Sequence, residues 1–166
     1  LWNALELGEK VLTDLKGMKE VIQAELAGSL RRKKETIGDI DVLVTCQPKA
    51  RKKIVEHFTN LHYANRVLVK GDTKASIILK EGDRQADLRL VDENEWGAAL
   101  LYFTGNKEHN IKLRTIAKER GLKINEYGLF RMKDDKRLAG KTEEEIYKLM
   151  GVEWMPPEMR EDSGEL

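Results

Sequence analysis

Apolar residues recur at two different spacings in the first half of the chain. Between residues 2 and 16 they recur every three to four positions and the run ends near Gly17, which predicts an amphipathic helix. Further on they alternate with polar residues, which predicts β-strands with one buried face. These strand segments are VIQAELAG, DIDVLVT, NRVLVK, KASIILK and RQADLRLVD.

Turn residues separate these segments. Gly28-Ser29 predicts a turn after the first strand, and Gly71-Asp72 predicts a hairpin that joins NRVLVK to KASIILK. Pro48 opens a predicted helix that continues to Phe58. The first half of the chain is therefore expected to be a largely β unit covered by helices.

The pattern changes near Asp92. ENEWGAALLYF and NKEHNIKLRTIAKER predict consecutive helices, and LKINEYGLF predicts a short strand and turn. Thr142 and Glu145 form a capping box for a last helix, after which MPPEMREDSGEL predicts an acidic tail with little to pack. We expect an α+β fold in two subdomains, residues 1–92 and a smaller, mostly helical part, residues 93–166.

Composition excludes several classes of protein. A chain of 166 residues with 40% hydrophobic content can bury a core, and its net charge of +1 does not indicate a partner. Cys46 is the only cysteine, which excludes an internal disulfide and a cysteine-rich zinc site. Without an apolar run of about 20 residues or a signal peptide, we expect a cytoplasmic protein with no membrane partner. Because the chain begins with Leu1 rather than methionine, we expect a piece of a longer protein.

Carboxylates mark the most informative positions. Asp39 and Asp41 lie two residues apart on a predicted strand, so their side chains project from one face about 7 Å apart. Like charges at this spacing cost free energy unless a cation neutralises them, and hard divalent cations prefer carboxylate oxygens. Asp87 adds a third carboxylate on a strand with matching alternation, and three such groups can hold two Mg²⁺ ions for phosphoryl transfer. For Asp39 and Asp41 alone, a solvated strand face is the alternative.

The segment GSLRRKKETIGDID places phosphate-binding groups beside these carboxylates. Gly28 lets the backbone approach a phosphate, Ser29 adds a hydroxyl donor and Arg32 adds a planar guanidinium fork. Gly38 lets the chain pass closely before Asp39. The segment therefore predicts a site for a metal-bound triphosphate.

A polar stripe runs along the second predicted helix of the C-terminal half. Its members are Lys107, Asn110, Arg114 and Lys118. A face with cations and an amide is suited to a nucleic-acid backbone, and an ordinary solvated face is the alternative. We expect the neighbouring His109 to be solvated and Cys46 to be a buried apolar residue.

These motifs resemble a known family. The G-S-x-x-R…G-D-x-D pattern is similar to that of the nucleotidyltransferase superfamily. The segments AGSLRRKKETIGDIDVLV, ADLRLV, LLYFTGNKEHNIKLRTIA and LKINEYGLF resemble family X DNA polymerases, the relatives of DNA polymerase beta, in their bacterial and archaeal branch. The resemblance implies a nucleotidyltransferase palm of mixed β-sheet with flanking helices, followed by a C-terminal subdomain that binds the nucleotide and the nascent base pair.

The resemblance also implies residue roles. Asp39, Asp41 and Asp87 would be catalytic and would ligate two Mg²⁺ ions, with Mn²⁺ as an alternative. The nucleotide would be bound by Gly28, Ser29, Arg32, Gly38, Tyr102, Phe103, Gly105 and Asn110. DNA would be bound by Lys107, Arg114 and Lys118. The family bends its chain by a cis peptide after the glycine of YFTG, which is Gly105 here. Gln85 stands where eukaryotic members commonly have an arginine near the primer end.

Three further residues form an implied closure switch. In the family, the arginine that matches Arg89 exchanges an aspartate partner for the pair that matches Glu126 and Tyr127 when the lobe closes on a nucleotide. A static buried ion pair is the alternative interpretation of Arg89.

The implied reaction is DNA-directed DNA synthesis. A primer 3′-hydroxyl would attack a dNTP on template-primer or gapped DNA, as in repair gap filling. We expect a monomer that is part of a longer chain with further DNA-processing domains. The alternatives are a template-independent nucleotidyltransferase acting on RNA ends or protein, and a catalytically weak fragment that only binds DNA or nucleotide.

Overall fold

A computed structural model describes residues 2–34 and 38–166, apart from the side chain of Trp2. The chain divides into two compact units, Leu1–Asp92 and Glu93–Leu166. No helix within these described ranges combines the length and the apolar character needed to cross a membrane.

The first unit is built on a mixed sheet of five strands in the order β1-β2-β5-β4-β3. The strands are β1 (Gln23–Ala27), β2 (Ile40–Thr45), β3 (Ala64–Lys70), β4 (Lys74–Leu79) and β5 (Gln85–Val91). β2 and β5 pair in parallel, whereas the other neighbouring strands pair antiparallel. β3 and β4 form the predicted hairpin, closed by a hydrogen bond from the Gly71 N–H to the Lys74 carbonyl at 2.8 Å.

Strand alternation decides which side chains form the core of this unit. In β5, Ala86 and Leu88 are buried while Asp87 and Arg89 stay partly exposed on the opposite face. The buried face packs against the helices α1 (Trp2–Lys16) and α3 (Arg51–Thr59). The helices therefore cover one face of the sheet, and the other face is left for the carboxylates.

The second unit combines helices with a small antiparallel sheet. Its elements are α4 (Trp96–Thr104), α5 (Lys107–Glu119), β6 (Leu122–Asn125), β7 (Gly128–Arg131), β8 (Arg137–Ala139) and α6 (Glu143–Leu149). The sheet order is β6-β7-β8, and the third strand was not predicted because three residues carry no readable alternation. The predicted capping box of Thr142 and Glu145 is confirmed at the start of α6.

Two local predictions are wrong. The expected turn at Gly28-Ser29 is a one-turn helix, α2 (Gly28–Arg31), because the Arg32 N–H donates to the Gly28 carbonyl at 3.1 Å. The expected loose tail packs closely, since Met155 is 8% exposed and Arg160 is 0% exposed. The pattern of apolar residues did not predict the packing of this tail, because the residue that holds it is a buried arginine, Arg160.

Candidate active site

The three predicted carboxylates come together at one end of the parallel strand pair. The register of β2 and β5 places Asp41 directly opposite Asp87. Asp39 lies just before β2, and its side chain hydrogen-bonds that of Asp87. Asp41 is also within electrostatic range of both other aspartates. Parallel pairing of β2 with β5 thus adds Asp87 to the closely spaced pair Asp39 and Asp41, which makes a cluster of three acidic groups.

This crowding changes the acidity of the cluster. Burial, followed by the negative charges of Asp87 and Asp39, raises the pKa of Asp41 to about 7, and the Arg32 charge offsets part of that rise. Burial is also the largest cause that raises the pKa of Asp39, followed by the charge of Asp87 and their hydrogen bond. A carboxyl group held protonated by its neighbours can exchange that proton for a divalent cation.

The donor chemistry of the cluster fits Mg²⁺ or Mn²⁺. Carboxylate oxygens are hard ligands, which suit these ions better than softer metals. In residues 2–34 and 38–166, no three histidine, cysteine, aspartate or glutamate side chains are already arranged as metal ligands. A hydrogen bond joins Asp39 to Asp87, while the negative charges of the three aspartates repel one another, and a bound cation would relieve that repulsion.

Asp87 is positioned by two donors that the sequence analysis missed. Ser76 Oγ donates to Asp87 Oδ1 at 2.6 Å, and Gln85 Nε2 donates to the same oxygen at 2.9 Å. Ser76 lies opposite Asp87 in the β4–β5 register and is 3% exposed. Because both donors hold the same oxygen, they fix the orientation of the Asp87 carboxylate beside Asp39 and Asp41. The only sequence signal for Ser76 is a lone hydroxyl in the apolar strand KASIILK.

The residues predicted to bind phosphate begin immediately beside Asp41. Gly28 has a φ of +60°, and a Cβ built on it would collide with Asp41 Oδ2, so both the conformation and the space require glycine. Ser29 and Arg32 are partly exposed, and Arg32 is close enough to lower the pKa of Asp41. Gly38 is exposed and, among the described residues, nothing lies within 4 Å of a Cβ built on it. None of the described residues therefore packs closely against the side-chain position of Gly38, contrary to the expected close passage of the chain.

The nucleotide-binding residues predicted in the second unit also lie near one another. The rings of Tyr102 and Phe103 meet edge to face with centroids 5.0 Å apart. The peptide between Gly105 and Asn106 is cis, as the resemblance implies. Asn110 Nδ2 donates to the Tyr102 carbonyl at 2.9 Å, whereas the buried Asn110 Oδ1 has no hydrogen-bond partner among the described residues.

The region around Asn110 is a small cavity with an exposed basic face beside it. The cavity is lined by Leu101, Tyr102, Asn110, Leu113, Arg114, Ile124 and Asn125. Lys107, Arg114 and Lys118 are exposed on α5, as the stripe predicts. His109, in contrast, is completely buried, so the expectation of a solvated histidine is wrong.

The residues of the implied closure switch belong to different units. Arg89 lies on β5 two residues after Asp87 and opposite Leu43. Glu126 and Tyr127 form the turn between β6 and β7, where the Tyr127 N–H donates to Asn125 Oδ1 at 2.9 Å. The switch remains a prediction.

Two family models match the two units. The DNA polymerase beta palm matches residues 3–87, and the DNA polymerase beta thumb matches residues 99–161. The chain belongs to family X of DNA polymerases. The first unit, with the mixed sheet, thus corresponds to the palm. The second unit, with α4 to α6, corresponds to the thumb.

Individual relatives agree with this assignment to family X. The DNA polymerase/3′-5′ exonuclease PolX of Bacillus subtilis is 37% identical over 164 residues, which cover 98% of this chain and 28% of that protein. A repair DNA polymerase X of African swine fever virus (isolate Tick/South Africa/Pretoriuskop Pr4/1996) is 30% identical over 136 residues, which cover 80% of this chain and 78% of the viral protein. The chain therefore spans just over a quarter of the bacterial relative and most of the viral one.

We predict that Ser76→Ala destabilises the palm. The substitution removes a hydrogen bond to a charged, partly buried group, which costs about 1–3 kcal/mol of the free energy of unfolding. Thr45→Val is the matched control, because Thr45 Oγ1 is buried and no described residue forms a hydrogen bond with it. Urea unfolding of both variants should show a loss for Ser76→Ala alone; equal losses would contradict the role of Ser76.

We predict that the metal-free protein loses stability as pH rises from about 4 to about 7. The folded-state pKa of Asp41, about 7, lies above its ordinary value near 4, so the folded state binds more protons than the unfolded state in this interval. Asp41→Asn should flatten this dependence and stabilise the metal-free protein near pH 8 by on the order of 2 kcal/mol.

The difference between wild type and Asp41→Asn isolates this contribution from other titrating groups. Mg²⁺ should raise the unfolding temperature of the wild type more near pH 8 than near pH 5, and this gain should shrink in Asp41→Asn. A wild type whose response to Mg²⁺ is the same at both pH values would contradict the interpretation.

Proposed function

We propose that the chain is the catalytic core of a DNA-directed DNA polymerase that extends a primer 3′-hydroxyl with dNMP and releases pyrophosphate. The observation that carries this proposal is the cluster of Asp39, Asp41 and Asp87 beside Gly28 on a palm of the DNA polymerase beta type. The viral relative is named a repair polymerase, which supports gap filling on DNA as the setting.

The palm would supply the reacting groups. Two Mg²⁺ ions, or Mn²⁺, held by the three aspartates would stabilise the charge on the attacking and leaving oxygens. Asp87, whose Oδ1 is fixed by Ser76 and Gln85, would help activate the primer 3′-hydroxyl. Ser29 and Arg32 would hold the triphosphate through hydroxyl and guanidinium donors.

The thumb would position the nucleotide and the DNA. Within the described residues, no donor reaches the buried Oδ1 of Asn110. An amino or hydroxyl group of the incoming nucleotide would supply that donor. Tyr102 and Phe103 would line the sugar pocket, just before the cis peptide between Gly105 and Asn106. Lys107, Arg114 and Lys118 are exposed cations suited to phosphates of template-primer DNA.

We also propose the closure switch and a longer native chain. Arg89 shares a strand face with Asp87, and its release toward Glu126 and Tyr127 on closure would free a metal ligand. The bacterial relative is named both a polymerase and an exonuclease, which supports further DNA-processing domains in the intact protein.

We predict that Asp87→Asn abolishes primer extension. Losing several kcal/mol of transition-state stabilisation lowers the rate on the order of 10³-fold or more. The isosteric amide should leave the circular dichroism spectrum unchanged. Extension of a gapped DNA substrate measures the loss, and a variant that still extends the primer at the wild-type rate would refute the proposed reaction.

The same labelled nucleotide should be offered with templated DNA, with RNA ends and with protein acceptors. We expect incorporation that follows the template base on DNA alone. Label transferred to RNA ends or protein without a template would instead identify a template-independent nucleotidyltransferase.

We predict that Arg89→Ala changes the rate of the step that follows nucleotide binding. If Arg89 exchanges partners on closure, single-turnover kinetics should show a slower incorporation step by about tenfold with similar dNTP affinity. Turnover like that of the wild type would remove the switch and leave a static ion pair.

A further inference from the structure

The last residues of the chain are an integral part of the second unit. Residues 154–166, which we term the C-terminal strap, contribute Met155 and Arg160 to the buried interior. The side chain of Glu165 is only 2% exposed. A segment with these properties is fixed to its unit by specific contacts.

Arg160 anchors the strap to the start of α6. Its guanidinium donates to both carboxylate oxygens of Glu143, at 2.8 Å and 3.2 Å, and its Nε donates to the Met155 carbonyl at 2.9 Å. The same guanidinium lies over the rings of Tyr147 and Trp154. Buried charges need such complete pairing, because an unpaired charge in this position would be strongly unfavourable.

From this anchor the strap reaches the first turn of α5. The Arg160 carbonyl accepts from the N–H of Asn106, the residue whose side chain caps the helix. Glu165 Oε2 lies 2.8 Å from His109 Nδ1, and both side chains are buried. Glu165 also accepts from the backbone N–H groups of Asp162 and Ser163, at 3.0 Å and 2.6 Å.

His109 joins the strap to α6 as well. Its Nε2 lies 3.0 Å from the Tyr147 hydroxyl. With the Glu165 carboxylate accepting at Nδ1, the neutral ring carries its proton there and accepts from Tyr147 at Nε2. The ring is thereby held from both sides, and the first turn of α5 has little freedom to rotate.

The residue next to His109 is Asn110, which lines the nucleotide cavity. The Asn110 backbone N–H donates to the Asn106 carbonyl at 3.0 Å, and its side chain donates to the Tyr102 carbonyl. Helix ends otherwise fray, because their first N–H groups lack partners within the helix. The contacts of Asn106 and His109 with the strap thus fix the turn of helix from which Asn110 projects.

We propose that the C-terminal strap is a positioning element of the nucleotide site, and that Glu165 places Asn110 by holding His109. The proposal rests on the polymerase function proposed above. Glu165 is a positioning residue, since it touches His109 and not the nucleotide cavity.

The kinetic test compares Glu165→Ala with Glu165→Gln, which keeps an acceptor for His109. Asp135→Asn is the control, because it removes one exposed carboxylate of the same unit, which forms a surface ion pair with Lys123. We expect Glu165→Ala to raise the KM for dNTP about tenfold with kcat changed less than about threefold, Glu165→Gln to fall between, and Asp135→Asn to match the wild type.

A double-mutant cycle with Asn110→Ala separates positioning from a general loss of structure. If Glu165 acts through Asn110, Glu165→Ala should add little to the KM of Asn110→Ala. Independent, multiplicative effects of the two substitutions, or a KM in Glu165→Ala equal to that of Asp135→Asn, would overturn the proposal.

Amide hydrogen exchange of the nucleotide-free chain tests the strap without any activity. Glu165→Ala should speed exchange in the first turn of α5 by more than about tenfold relative to Asp135→Asn, while exchange in α6 stays unchanged. Unchanged protection of α5 would overturn the proposal. A wild type that does not incorporate nucleotides would refute the polymerase function, and the exchange result would still decide whether the strap holds α5.

Discussion

The repulsion among three carboxylates on one sheet face is the constraint on which the palm depends. Parallel pairing of β2 with β5 sets Asp41 beside Asp87, and Asp39 hydrogen-bonds to Asp87. Burial, followed by the charges of Asp87 and Asp39, raises the pKa of Asp41, so the charged cluster costs free energy unless a cation is bound. A fold that keeps such a cluster is less stable while no cation neutralises it.

Neighbouring residues make room for the acidic cluster and hold its carboxylates in place. Gly28 leaves room for the Asp41 carboxylate where any side chain would collide with it. Ser76 and Gln85 hold a single oxygen of Asp87, which orients the group without neutralising it. These contacts come from three different strands and a one-turn helix, so only the assembled sheet brings them together.

In the thumb, the first turn of α5 carries Asn110, the residue that we propose contacts the nucleotide. Hydrophobic packing alone positions the middle of α5 through Leu113 and Ala117, which are both buried. Its first turn is held instead by polar contacts of Asn106 and His109 with the strap. A buried ion pair, Arg160 with Glu143, secures that strap to α6.

The sequence by itself determined most of the helices and strands, the family resemblance and the three acidic positions, because strand alternation and short motifs are local properties of the chain. It missed β8 and took the one-turn helix α2 for a turn, because such short elements carry no readable periodicity. It did not reveal Ser76 or the buried His109, and it described the C-terminal strap as loose. These features depend on the register of β4 with β5 and on residues 56 positions apart, His109 and Glu165, which meet only after folding. Tertiary structure decided these features because the hydrogen-bond partners of a buried polar side chain are distant in sequence and become neighbours only in the folded chain.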